Sequence, residues 1–155
     1  MKLCHLLVGF SLFAFSAVAG PLDVFVRDEK LFSAQTIRCP FPVATGANWD
    51  DGEPIVKSFK RDNKFLLLFD SIGEKKARLI GNAGSEDVLV IRTDMGLTFI
   101  EKTPSGSWNT TTVFVYREKD LRGRFTAVTS RHLNFTFKPY TSQSYGKCKV
   151  LEYYQ

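Results

Sequence analysis

The sequence predicts an all-β chain: an antiparallel β-barrel, or a sandwich, of about 9–11 short strands, carrying one disulfide and preceded by a signal peptide. Three observations lead there. Short runs rich in Val, Ile, Phe, Thr and Tyr recur from residue 22 onward, punctuated by Gly, Pro, Asn, Asp and Ser. Many of the gaps suit hairpins and are too short for parallel crossovers. No segment has the periodicity of a long amphipathic helix. With 155 residues, 44% hydrophobic, 24% charged and 14 Phe, the chain can bury a core and does not have a disordered composition.

The first element is an address. Lys2 precedes an apolar run from Leu6 to Ala19, broken only by Ser11 and Ser16, and Ala17 and Ala19 are small residues suited to cleavage after Ala19. The run is shorter than the roughly 20 residues of a spanning helix, and Pro21 discourages its continuation, so no permanent membrane anchor is expected. The expected division is a signal peptide at 1–19 and one β-barrel domain at 20–155, exported to the periplasm or secreted. Cleavage takes the net charge from +5 to +4 and leaves Cys39, Cys148 and His132 as the only cysteines and histidine. An even pair of cysteines in an exported chain reads as a disulfide, Cys39–Cys148, closing a long loop and contributing about 4 kcal/mol on the chain-entropy estimate.

Candidate strands follow at 22–27, 32–39, 54–60, 65–70, 77–81, 88–93, 97–102, 111–117, 124–130, 134–138 and 147–153. A short helix over 28–36 competes with the start of the second run. Leu97, Phe99 and Glu101 alternate with Thr98, Ile100 and Lys102, as in a strand with two distinct faces. Asn82–Ser85, Asp94–Gly96 and Pro104–Gly106 supply turn residues. Residues 39–53 hold Pro40, Pro42, Gly46, Asn48, Asp50, Asp51 and Gly52, and read as a long loop beside the disulfide with Trp49 at its tip. A barrel would remove exposed strand edges, and the disulfide would tie its first and last strands together.

Little in the chain signals catalysis. One mature histidine excludes paired-histidine metal ligation, and neither a nucleophile elbow nor a phosphate-binding glycine loop is present. No metal and no cofactor are expected. Asp50-Asp51-Gly52-Glu53 is a compact acidic cluster without the ligand alternation of a calcium loop, so it reads as a solvated turn. Ser130 and His132, two apart in a strand, could share a face, with Arg131 on the opposite one; they form the sole candidate for nucleophilic chemistry, and no orienting acid can be named. Basic groups at 57–64, 75–78 and 117–124 are diluted by acidic neighbours, and an exported chain is not expected to bind nucleic acid. Two glycosylation sequons begin at Asn109 and Asn134.

Several motifs together resemble a group of uncharacterised small exported bacterial proteins, mainly proteobacterial. They are Ala77-Arg78-Leu79-Ile80-Gly81-Asn82-Ala83-Gly84, Gly96-Leu97-Thr98-Phe99-Ile100-Glu101, Asn109-Thr110-Thr111-Thr112, Ser130-Arg131-His132 and Ser144-Tyr145-Gly146-Lys147-Cys148. The resemblance implies an exported β-rich domain with an early and a late cysteine. It transfers no catalytic residues. Lipocalin-like and lysozyme-inhibitor barrels are a looser architectural analogy.

The expected function is therefore a non-enzymatic, exported binding module. Its partner would be a small apolar molecule inside the barrel or an envelope or secreted protein at a loop-bearing end, with Trp49, Ser130, Arg131 and His132 as candidate ligand-binding residues. The alternatives are a periplasmic enzyme inhibitor, a hydrolase using Ser130 and His132, and a structural envelope protein.

Overall fold

Strands of alternating burial make up most of the computed structural model, which describes residues 28–61, 65–82, 84–115, 123–135 and 138–152. A short helix, α1 (Glu29–Phe32), comes first, capped by Asp28, whose carboxylate accepts from the backbone N–H groups of Lys30 and Leu31. Ten strands follow among the described residues: β1 (Thr36–Pro40), β2 (Val43–Asp50), β3 (Glu53–Lys60), β4 (Leu66–Asp70), β5 (Lys76–Gly81), β6 (Gly84–Thr93), β7 (Gly96–Lys102), β8 (Trp108–Phe114), β9 (Phe125–Phe135) and β10 (Lys138–Leu151). The leader and the 22–27 strand expected from sequence lie outside the described residues.

Eight strands, in the order β1-β4-β5-β6-β7-β8-β9-β10, form an antiparallel barrel that closes where β1 pairs with β10. The closing ladder is short: Thr36, Ile37 and Arg38 face Leu151, Val150 and Lys149. One step further along the same register, the Cys39–Cys148 disulfide joins the two strands, with Cα atoms 4.1 Å apart. This bridge fits a compartment more oxidising than the cytosol. No helix among the described residues is long and apolar enough to cross a membrane.

Strand β10 is longer than the barrel needs. Beyond the β1 ladder its residues 140–145 pair with β2, and β2 pairs with β3, so a hairpin extends the sheet past one mouth of the barrel. The chain turns out of β1 at Pro40, Phe41 and Pro42, passing over Gly146. A Cβ there would overlap the Pro40 carbonyl oxygen and lie 2.8 Å from the Phe41 ring, so only glycine fits beneath the corner.

The core is solid. Phe69 and Phe99 stack with ring centroids 3.8 Å apart, and Phe41, Phe125, Leu97, Ile37 and Val113 are all essentially buried. At the end away from the β2–β3 hairpin, α1 sets Leu31 and Phe32 into the core. Arg92 holds this stopper, its guanidinium donating to the carbonyl oxygens of Phe32 and Gly73, both at 2.8 Å.

Three sequence expectations are corrected. Residues 39–53 are not a loop: they contain β2 and its turn into β3, where Asp51 (φ 48°) and Gly52 (φ 84°) make a two-residue hairpin turn of the left-handed type. The expected strand at 134–138 is no separate element, since Asn134 and Phe135 finish β9 and Lys138 begins β10. Residues 32–39 divide between the end of α1 and β1, because the Asp28 cap starts a helix before the strand begins.

Candidate functional site at the open mouth of the barrel

The inward rows of four strands change character at the hairpin end. In β9, Phe125, Ala127 and Thr129 are buried and Arg131 continues their row. In β7, Glu101 continues the row of Leu97 and Phe99; in β8, Asn109 precedes Thr111 and Val113; in β6, Glu86 precedes Val88 and Val90. Apolar side chains thus fill the middle of the barrel, and charged and amide groups occupy its rim. Register brings them together. Glu101 pairs with Asn109, and Asn109 pairs with Arg131, so the three cross adjacent strands in one line.

A cavity of about 590 Å³ opens here, walled by Phe65, Leu67 and Leu79 on the apolar side and by Glu86, Glu101 and Arg131 on the polar side. Asn109 is 6% exposed and donates from Nδ2 to Glu101 Oε2 at 2.7 Å. Two polar atoms remain unmatched: Asn109 Oδ1, an acceptor, and Arg131 Nε, a donor, are buried without hydrogen-bond partners. Below them Thr111 donates to Thr129 at 2.9 Å, sealing the site from the core.

Charge is arranged unevenly across the rim. A hydrogen bond between Glu86 and Glu101 pushes the Glu86 carboxyl up to about 7, aided by burial and by the repulsion of the Glu101 charge. Glu86 therefore changes its protonation close to neutral pH. Burial pulls Arg131 below the usual guanidinium range; Glu101 opposes that shift and Arg61 adds to it. The Arg131 guanidinium is 4.6 Å from the Phe65 ring centroid, and Arg61 stands 4.6 Å from the same ring and 5.5 Å from Phe59.

Of the four candidate ligand-binding residues, Trp49, Ser130, Arg131 and His132, only Arg131 lines this cavity. Ser130 and His132 point to the outer face of β9, and no hydrogen bond joins them. His132 is exposed and lines a shallow outer depression with Thr45, Val56 and Thr141. Trp49 is half-buried in β2, paired with Pro54 beside the hairpin turn and remote from the cavity walls. Glu86, Glu101, Asn109 and Phe65 were missed. Their signal was positional: each of the first three extends an apolar every-second-residue row by one polar step. Among the described residues no group of three or more His, Cys, Asp or Glu side chains is placed to hold a metal ion. The sequon at Asn109 is also accounted for, because the Nδ2 that would carry a glycan is buried against Glu101.

No protein-family model matches the chain, and no curated protein is similar to it in sequence.

Proposed function

We propose that this is an exported, non-enzymatic binding module that takes a small neutral ligand, part apolar and part hydroxyl-bearing, at the open mouth of the barrel. One observation carries the reading: a buried donor and a buried acceptor, Arg131 Nε and Asn109 Oδ1, stand unmatched beside a cavity with an aromatic wall. Leaving a buried group unpaired costs about 1–3 kcal/mol, and Arg131, which lines the cavity, offers its Nε to a ligand hydroxyl, with Asn109 as its neighbour across the strands. In its protonated form Glu86 adds a donor, and Glu101 adds an acceptor. Glu101 and Arg131 bring opposite charges to the same cavity wall, which favours a neutral, hydrogen-bonding ligand over an ion. The packed Phe69–Phe99 core leaves the centre of the barrel to the protein's own side chains, so the ligand belongs at the rim.

The test is titration of alkyl and phenyl glycosides, followed by ligand-observed NMR, against wild type and Arg131→Met. The expected result is binding that weakens about tenfold in the variant, the effect of one lost charged hydrogen bond. Equal affinity in both proteins, or no affinity for any glycoside, would overturn the reading.

A second reading is supported by β3. All its residues are exposed, including Ile55, Val56 and Phe59, and its outer edge has no partner strand among the described residues. An envelope or secreted protein could add a strand there, with Lys57 and Lys60 meeting acidic groups. A partner retained by wild type and lost on Val56→Lys supports it. Retention by both proteins counts against it.

A further inference from the structure

The outer surface of the barrel carries a second concave site, distinct in chemistry from the mouth. It lies over the closing seam, where β1, β10 and the start of β9 run side by side. Arg38 and Lys149 face each other in register, and Lys147 lies two residues from Lys149 on the same face. Phe125 pairs with Cys148, which sets the preceding Arg124 beside Lys149. Four cations therefore converge, Arg38 on β1, Lys147 and Lys149 on β10 and Arg124 just ahead of β9, with neighbouring strands about 5 Å apart.

They line a groove of about 710 Å³ to which no carboxylate of the described residues contributes. Glu152, the acidic residue just past β10, is held by Lys30 at 2.5 Å, with Lys149 a lesser influence on it. Like charges directly opposite on neighbouring strands destabilise a sheet, so the Arg38–Lys149 pair is unfavourable for folding alone. The other wall of the groove is apolar. Pro42, Val43 and Tyr145 form it, the last two 41% and 38% exposed. The recess exists because the chain leaves β1 at the Pro40–Pro42 corner, pressed onto Gly146, before it rejoins β10 as β2.

A cationic row beside an apolar wall matches a ligand with the complementary division. We infer that the seam groove binds a single-chain anionic amphiphile, its phosphate or sulfate head on Arg38, Lys147 and Lys149 and its chain along Pro42, Val43 and Tyr145. A recessed groove of this volume suits one molecule rather than the plane of a bilayer. The site shares no residue with the barrel mouth, so it stands or falls independently of the ligand proposed there.

The experiment is calorimetric titration of the purified chain with dodecyl phosphate below its micelle-forming concentration. Inorganic phosphate, dodecyl maltoside and vesicles of anionic phospholipid are titrated in parallel. Dodecyl phosphate should bind at least about tenfold more tightly than either inorganic phosphate or the maltoside. R38Q/K149Q should weaken it about tenfold or more and Tyr145→Ala by several-fold, while Arg131→Met leaves it unchanged. Chemical-shift changes on titration should centre on Arg38, Tyr145, Lys147 and Lys149. R38Q/K149Q removes a repulsive pair from the surface and should fold at least as stably as wild type, which a thermal melt verifies. Equal affinity in wild type and R38Q/K149Q would overturn the inference. So would dodecyl phosphate no better than inorganic phosphate, or binding to vesicles with none to the monomeric amphiphile.

Discussion

The guanidinium of Arg131 lies 4.6 Å from the centroid of the Phe65 ring, and through that contact the rim residue of the β9 row is tied to the segment that enters β4. Arg61 is equally close to the same ring. One aromatic side chain thus holds two like charges near each other at the rim: the ring face attracts each of them, while Arg61 and Arg131 repel one another. The contact also fixes where the unmatched Nε sits.

Replacing Phe65 should separate stability from positioning. Phe65→Ala is expected to lower unfolding stability by about 2 kcal/mol, less than for a fully buried phenylalanine because Phe65 is only half-buried. Phe65→Leu should recover most of that stability but not the affinity for mouth ligands. Urea unfolding and glycoside titration of both variants check this; full recovery of affinity by leucine would remove the ring from the site.

Arg131→Met should not destabilise the fold. Arg131 loses solvation on burial, and its Nε has no partner to repay the loss. An apolar side chain of similar length avoids that penalty, so stability is expected within about 1 kcal/mol of wild type, or above it. A fall of several kcal/mol in urea unfolding would show that the guanidinium is structural.

Stability should fall as pH rises through about 7. Glu86 is held above its ordinary range in the folded state, so the fold binds a proton that the unfolded chain has already released. Its contribution is full below the ordinary glutamate range and is lost as pH climbs through about 7. Glu86→Gln, which keeps a donor toward Glu101 but cannot titrate, should flatten that part of the profile. Thermal melts of the two proteins between pH 5 and about 8 make the comparison.

The inward rows that build the mouth were legible in the sequence, yet the mouth was not. Leu97, Phe99 and Glu101 form one alternating set in the sequence, and Ser130 and Arg131 fall on opposite faces of their strand. The obstacle was weighting. Apolar periodicity marks where a row is buried, whereas Glu101, Arg131 and Glu86 became a site only through cross-strand register, which one strand cannot reveal. Strand β2 escaped for a different reason. Its inward positions are Ala44 and Gly46, both buried, the latter beneath the Tyr140 ring, so a strand packed through small residues has the composition of a loop. The hairpin turn at Asp51-Gly52 was legible as a turn but not as the middle of a hairpin.

Breaking Cys39–Cys148 should cost about 4 kcal/mol, since the bridge closes a loop with a sequence separation of 109 residues. The C39S/C148S double variant is expected to unfold at distinctly lower urea concentration. Hydrogen exchange should show β1 losing protection first, because its ladder with β10 is only three residue pairs long.

Gly146→Ala should be more damaging than Gly46→Ala. The first places a methyl group against the Pro40 backbone, which cannot retreat without opening the corner, for a loss of about 2 kcal/mol or more. The second meets the hydroxyl end of Tyr140, a side chain that can swing aside. Denaturation midpoints of the two variants should rank accordingly.

The stopper formed by α1 has a bearing on traffic. With Leu31 and Phe32 seated at one end and Phe69 stacked on Phe99 in the middle, the barrel is a cup and not a pipe. Anything held at its rim arrives and departs over the same lip, beside the sheet extension formed by β2 and β3. Residence time is then governed by that lip alone.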